Sequence, residues 1–211
     1  MDGVLVDTEY LYTRMNQAFL ATHGYMIDLA DYHEYVGISA KIMWADLKEK
    51  AHLPYPVDML IEMEKKQKFN VLQEQDLYPI AGIPELLNGL KSAGAKIALA
   101  SSSMRKNIDL ILAKSRLAPY FDFVISGDDV THGKPDPEIF QAVLKYYNAD
   151  PADAIVVEDS ANGARAAKAA TIFTIGFLNK NSGNQDLHLA DWIIQDFNEE
   201  NNRKIIDMYI G

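Results

Sequence analysis

The chain has 211 residues, 48% of them hydrophobic and 24% charged, with a formal net charge of −10. This balance supports a sizeable core and excludes a largely disordered chain, and the acidic excess argues against a nucleic-acid partner. There is no cysteine for disulfides or thiolate metal sites, no basic leader and no apolar run of membrane-spanning length, so a cytoplasmic setting without a membrane is expected.

The first eight residues form a polar start, and from residue 9 to about 79 the texture is helical. Tyr12, Met15 and Phe19, then Ile42 and Leu47, then Met59 and Met63 recur at helical spacing, and no convincing strand interrupts them. Gly37 and the Pro54/Pro56 pair are expected to break this segment internally, and Tyr78-Pro79 with Gly82 to close it. Its charge is −4 against −6 for the remainder, so neither part is a basic platform.

Beyond it, residues 95–101, 122–127, 154–159, 172–176 and 191–194 are short apolar runs ending in polar residues or glycine, and they read as buried strands. Helical spacing fills the intervals: Ile83 into the 90s, 107–115, 137–147 and 162–170. Alternating strand and helix predicts a doubly wound parallel sheet covered on both faces, an α/β fold. In such sheets ligands bind beyond the carboxyl ends of the strands.

Three strands deliver chemistry to that edge. The first brings Ser101-Ser102-Ser103, the second Asp128-Asp129 followed by His132-Gly133-Lys134-Pro135, and the third Glu158-Asp159-Ser160. Paired acids are hard oxygen ligands suited to Mg²⁺, serine hydroxyls can bond phosphate oxygens, and Lys134 can neutralise an anion, an inventory suited to phosphoryl transfer. Each element also has a plainer use. The serines and Asp159 or Ser160 could cap the helices that follow, Lys134 could be a solvated surface lysine, and Asp136-Pro137 reads as a helix start with Asp as N-cap. The five histidines, at 23, 33, 52, 132 and 188, lack ligand spacing.

Four stretches taken together resemble a known family: Asp2-Gly3-Val4-Leu5-Val6-Asp7-Thr8-Glu9, Ala98-Leu99-Ala100-Ser101-Ser102-Ser103, Gly133-Lys134-Pro135-Asp136-Pro137, and Val157-Glu158-Asp159-Ser160 with Asn162-Gly163. In order and spacing they are similar to the motifs of the haloacid dehalogenase superfamily, in its β-phosphoglucomutase-like branch. The resemblance implies a Rossmann-like core formed by residues 1–8 and 80–211, with residues 9–79 inserted as a mobile helical cap. It implies that Ser101 bonds the transferring phosphoryl group and that Lys134 balances its charge. Asp159 would ligate Mg²⁺ with Glu158 supporting, while Asp2 would act as general acid/base and offer its backbone carbonyl to the metal. The first aspartate of the family's Asp-x-Asp motif, the nucleophile, falls two positions before Asp2. The expectation is that this aspartate and the apolar strand leading into it precede Met1 in the protein.

Val36-Gly37-Ile38-Ser39 is similar to the family's specificity loop, but Ala40 stands where mutase-like members carry arginine, and Met104 where they carry lysine. Lys41 and Arg105 are partial substitutes, and Ser39, Lys41, Ser102, Ser103 and Arg105 are the expected substrate contacts. A mutase must grip a bisphosphate at both ends, so losing two cations favours hydrolysis. The expected activity is Mg²⁺-dependent release of phosphate from a small phosphorylated metabolite, with a phosphomutase as the first alternative. A non-catalytic protein that binds phosphoesters is the second.

Overall fold

A computed structural model describes residues 1–35, 38–183 and 185–210. Four helices follow the first eight residues: α1 (Glu9–Thr22), α2 (Leu29–His33), α3 (Ala40–Lys50) and α4 (Val57–Glu74). Their apolar faces meet in a core of their own around Leu20, Tyr32, Trp44, Leu47 and Leu60. The break expected at Pro54/Pro56 lies between α3 and α4, with Pro56 as N-cap of the second. The break expected at Gly37, and Val36 beside it, fall outside the described residues.

A buried acid sits in this helical core. Glu64 on α4 accepts from the indole Nε1 of Trp44 at 2.8 Å and from Asn16 Nδ2 at 3.3 Å, and pairs with Lys68 one turn on at 3.0 Å. Both oxygens are therefore engaged, which a buried carboxylate requires. Tyr12 on α1 and Leu72 on α4 belong to a different cluster. They pack with Val4, Leu5 and Leu77 into the core beneath the sheet.

The rest of the chain alternates as the sequence predicts. It runs α5 (Ile83–Ser92), β1 (Ala98–Ala100), α6 (Arg105–Lys114), β2 (Phe123–Ile125), α7 (Glu138–Tyr147), β3 (Ile155–Glu158), α8 (Ala161–Ala169), β4 (Phe173–Phe177), β5 (Trp192–Ile194) and α9 (Glu199–Ile210). Every named ladder is parallel, giving an α/β fold with a Rossmann-like core and a set of added helices. The strands are shorter than their apolar runs. Before β1, Ile97 is tied not to a long ladder but to Asp122, whose carboxylate accepts its N–H at 2.9 Å and whose N–H it accepts at 2.8 Å. Helix α7 starts one residue later than predicted, at Glu138, because the Asp136 carboxylate caps the Glu138 N–H at 2.9 Å. Alanine brings α8 close to the sheet: Ala164, Ala166 and Ala167 are fully buried, with no side-chain bulk to hold the backbones apart.

The sheet comes in two pieces. β1 pairs with β2, and β3, β4 and β5 form a second ladder; among the described residues no strand bridges β1 and β3. The carboxyl ends of both pieces lie at the same edge, because Lys134 donates to the carbonyl of Ala100 at the end of β1 and pairs with Glu158 at the end of β3. No helix among the described residues is long and apolar enough to cross a membrane.

Candidate active site

The first eight residues curl tightly under this edge. The Met1 carbonyl accepts from the N–H groups of Val4, Leu5 and Val6, and Gly3 takes a positive φ of 71° that suits glycine. The turn holds Asp2 among three hydroxyls. Its Oδ1 accepts from Thr8 at 2.6 Å and Tyr12 at 3.3 Å, and its Oδ2 from Ser103 at 2.7 Å. Thr8, placed to cap α1, gives no side-chain cap to that helix and serves Asp2 instead.

From β1, Ser101 is buried and its hydroxyl oxygen accepts the N–H of Ser103 at 3.2 Å. The three serines do not cap α6, whose N-cap is Met104 without a side-chain bond. From the loop before α7, Lys134 is 8% exposed, far from a solvated surface lysine, and lies 4.8 Å over the Phe140 ring. From β3 come Glu158, which also accepts from Ser160 at 3.1 Å, and Asp159, which accepts from Ser182 at 2.5 Å. Ser160 keeps its plainer role as well, capping α8 through the N–H of Gly163 at 3.0 Å.

Two glycines make this packing possible. A Cβ at Gly3 would overlap the Asp159 carboxylate, and one at Gly163 would overlap that of Glu158. The turn and the start of α8 therefore press their backbones directly against the two acids.

The electrostatics of neighbouring acids differ. Burial opposes ionisation of Glu158, but Lys134, with Ser160 adding a hydrogen bond, holds its carboxyl below the usual range. Asp159, buried beside that ionised neighbour, is pushed up to about 6, with the Ser182 hydrogen bond opposing. Burial likewise lifts Glu9 to about 7; Lys68 opposes this, and Asp2, Asp159 and Asp7 add to it. The edge thus carries more buried negative charge than its own cations neutralise.

That surplus suits a divalent cation, which would relieve Asp159 directly. Among the described residues, the one set of three acidic or histidine side chains with ligand atoms mutually within 4.8 Å is His132, Asp136 and Glu138, on the surface. Asp2, Glu158 and Asp159 are not such a set. A cation at Asp159 would therefore take its remaining oxygens from backbone carbonyls and water, the usual company of Mg²⁺. The donor set fits on those terms, with Asp159 as the side-chain ligand.

Not every expected contact joins this cluster. Ser39 caps α3, accepting the Ile42 N–H at 3.4 Å, and Ser39, Lys41 and Ser102 are exposed without a described hydrogen bond to the cluster. Arg105 pairs with Asp109 on its own helix at 2.9 Å. Asp128 accepts the Arg105 N–H and Asp129 the N–H and hydroxyl of Ser126, so both acids shape loops. Conversely, sequence reasoning missed Thr8, Tyr12, Glu9 and the loop after β4. There Ser182 holds Asp159, Asn179 donates to the Gly3 carbonyl at 2.8 Å, and Asn181 donates to Asp7 at 2.5 Å.

Comparison with known proteins gives consistent matches. Residues 1–177 match the family model described as haloacid dehalogenase-like hydrolase. A phosphorylated carbohydrates phosphatase of Thermotoga maritima is 34% identical over 177 residues, spanning 82% of this chain and 79% of that protein. Among solved structures, CbbY from Rhodobacter sphaeroides in complex with phosphate superposes with a TM-score of 0.79 at 26% identity, covering 94% of this chain and 92% of that one. β-Phosphoglucomutase from Clostridium difficile gives 0.77 at 25% identity, covering 99% and 93%. With the motif residues gathered at one sheet edge and the match running through β4, this chain belongs to the haloacid dehalogenase-like hydrolases, an enzyme family, alongside their β-phosphoglucomutase-like members.

Proposed function

We propose that the protein is a Mg²⁺-dependent phosphohydrolase of small phosphorylated metabolites, sugar phosphates in particular. The observation that carries this reading is the linked cluster Asp2–Ser103–Ser101 with Lys134, Glu158 and Asp159 at one sheet edge. The Thermotoga maritima relative, named for phosphorylated carbohydrates, supports the substrate class. In this reading the attacking carboxylate is the family motif's first aspartate, two positions before Asp2.

Asp2 is the general acid/base, its carboxylate oriented by Thr8, Tyr12 and Ser103 so that one group handles the proton while another attacks phosphorus. Ser101 donates its hydroxyl to a phosphoryl oxygen, and Lys134, already fixed between β1 and β3, balances the anionic charge. Asp159 holds Mg²⁺, with Glu158 positioning Lys134 and supporting the metal's outer shell. The metal, when bound, neutralises phosphoryl charge as a Lewis acid. Helices α1–α4 (residues 9–79) form the cap, and Ser39, Lys41, Ser102 and Ser103 supply substrate contacts.

Hydrolysis is preferred over phosphoryl transfer between sugar hydroxyls. Met104 is apolar and Arg105 is engaged by Asp109, so neither presents a free cation for a second phosphate. The test is phosphate release from a panel of sugar phosphates by protein purified from its native source. Release that needs Mg²⁺ and stops with a chelator supports the reading. Strict dependence on a glucose bisphosphate activator would show a mutase instead, and calorimetric binding without turnover would show a phosphoester-binding protein.

A further inference from the structure

The loop that follows β4 grips the site at three points. Asn179 Nδ2 donates to the Gly3 carbonyl at 2.8 Å, Asn181 Nδ2 to the Asp7 carboxylate at 2.5 Å, and the Ser182 hydroxyl to Asp159 Oδ2 at 2.5 Å. The loop is also braced internally. The Asn179 side chain accepts the N–H of Asn181 at 2.9 Å, a local turn that asparagine favours, and the Asn179 carbonyl accepts the N–H of Ser182 at 3.2 Å. Just upstream, the Leu178 N–H bonds to the Ile194 carbonyl, so the loop springs directly from the β4–β5 ladder. Ser182 is 3% exposed and stands on this braced frame.

That hydroxyl divides the two oxygens of Asp159. Oδ2 accepts from Ser182 and lies against the turn at Gly3, where an added Cβ would come within 1.9 Å of it and 2.9 Å of the Ser182 oxygen. Among the described residues no second side chain donates to Oδ1. A hydrogen bond to an ionised carboxylate is one of the stronger kinds, and turning the carboxylate so that both oxygens face one cation would break it. Mg²⁺ and Ca²⁺ differ on this point. Mg²⁺ keeps a near-ideal octahedral shell at about 2.0–2.1 Å and retains several waters, whereas Ca²⁺ gathers roughly 6–8 oxygens at about 2.3–2.6 Å and takes carboxylates through one oxygen or both.

We propose that Ser182 sets the choice of cation at this edge: by occupying Oδ2 it restricts Asp159 to one coordinating oxygen, which suits Mg²⁺ and withholds a ligand from Ca²⁺. Ser182 is thus a positioning residue that acts through Asp159, and the inference rests on the reading above that Asp159 is the side-chain ligand. Selectivity between the two ions depends on ligand number and on how rigidly the ligands are held, and the loop governs both. It fixes the number through Ser182, and the rigidity through the anchors of Asn179 and Asn181 on the first turn. Ser160 makes the contrast. Its hydroxyl donates to Glu158 at 3.1 Å but also caps α8, whereas the Ser182 hydroxyl has Asp159 as its one described partner and no helix to cap.

The test is calorimetric titration of the full chain with magnesium chloride and, separately, calcium chloride, counting only the binding that Asp159→Asn abolishes. That subtraction removes any cation held elsewhere, for instance at the surface group His132, Asp136 and Glu138. In Ser182→Ala the affinity for Ca²⁺ relative to Mg²⁺ should rise by about tenfold or more, the scale of one hydrogen bond to a charged group. Ser182→Thr keeps the hydroxyl and should retain the wild-type ratio. An unchanged ratio in Ser182→Ala, or affinities for both ions falling together, would leave Ser182 a purely structural role and overturn the proposal. So would an equal change of ratio in Ser182→Thr, which would assign the effect to packing. Each of these outcomes keeps Asp159 as the ligand and the catalytic reading intact, whereas no Mg²⁺ binding at Asp159 in the wild-type protein would overturn both.

Discussion

Two glutamates in this molecule are buried beside lysines, and their surroundings diverge. Glu64 in the helical cap has Trp44, Asn16 and Lys68 shared between its two oxygens. Glu158 at the sheet edge has Lys134 and Ser160, but it is followed in sequence by Asp159, which no lysine reaches and which is raised to about 6. The first site closes its own charge balance and so acts as structure. The second leaves an anion uncompensated beside a lysine and serines, the arrangement on which the proposed binding of a cation and a phosphate rests.

The sharpest way to break that contrast is at the lysines and acids themselves. Lys134→Ala should lower phosphate release by about a thousandfold or more, since it removes charge stabilisation of the transferring group. It should also cost about 3 kcal/mol in chemical denaturation by leaving Glu158 buried and unpaired. Asp2→Asn comes next, with a loss of roughly 10²–10⁴ in turnover and little change in stability, because an amide oxygen can still accept from Thr8. Glu64→Leu reverses the pattern: stability should fall by about 2–3 kcal/mol as Trp44 and Asn16 lose their acceptor, while turnover of the folded protein stays near wild type. A large turnover loss in Glu64→Leu, or none in Lys134→Ala, would erase the distinction between the two sites.

The pH dependence tests the surplus charge more gently. Asp159 rises from 3.8 to about 6 and Glu9 from 4.5 to about 7 on folding. The folded protein therefore holds protons that the unfolded chain has already released, and stability should fall as pH rises from about 4 to about 7. Mg²⁺ should recover part of that loss, so its effect on the melting temperature should be greater at pH 8 than at pH 5. An equal shift at both values would argue against Asp159 as the ligand. Smallest of all, Ser39→Ala should cost about 0.5 kcal/mol of stability, the low end for a helix cap given its 3.4 Å bond.

The strand ends were legible because apolar runs stop where polar residues begin, and that alone brought Ser101, Lys134, Glu158 and Asp159 to one edge. Asp2 was legible only through its motif. What stayed hidden are partners brought in by chain closure. Ser182 reaches Asp159 from 23 residues away, Ser103 reaches Asp2 from 101, and Asn179 reaches Gly3 from 176. A serine or asparagine in a polar loop has the same appearance in sequence whether it meets water or a partner far along the chain. Thr8 stayed hidden for a related reason: nothing in its position before α1 shows that its hydroxyl goes to the Asp2 carboxylate, a strong acceptor, and not to the helix.

Gly3 and Gly163 carry one more consequence. The two acids are held in place partly by hydrogens, by the absence of a carbon that every other amino acid would put there. Substituting either glycine by alanine removes no ligand, no charge and no hydrogen-bonding side chain, yet it would push a whole backbone segment off a carboxylate. Residues with no chemistry of their own can thus set the position of those that have it, and a search for functional positions guided only by reactive side chains would pass over both.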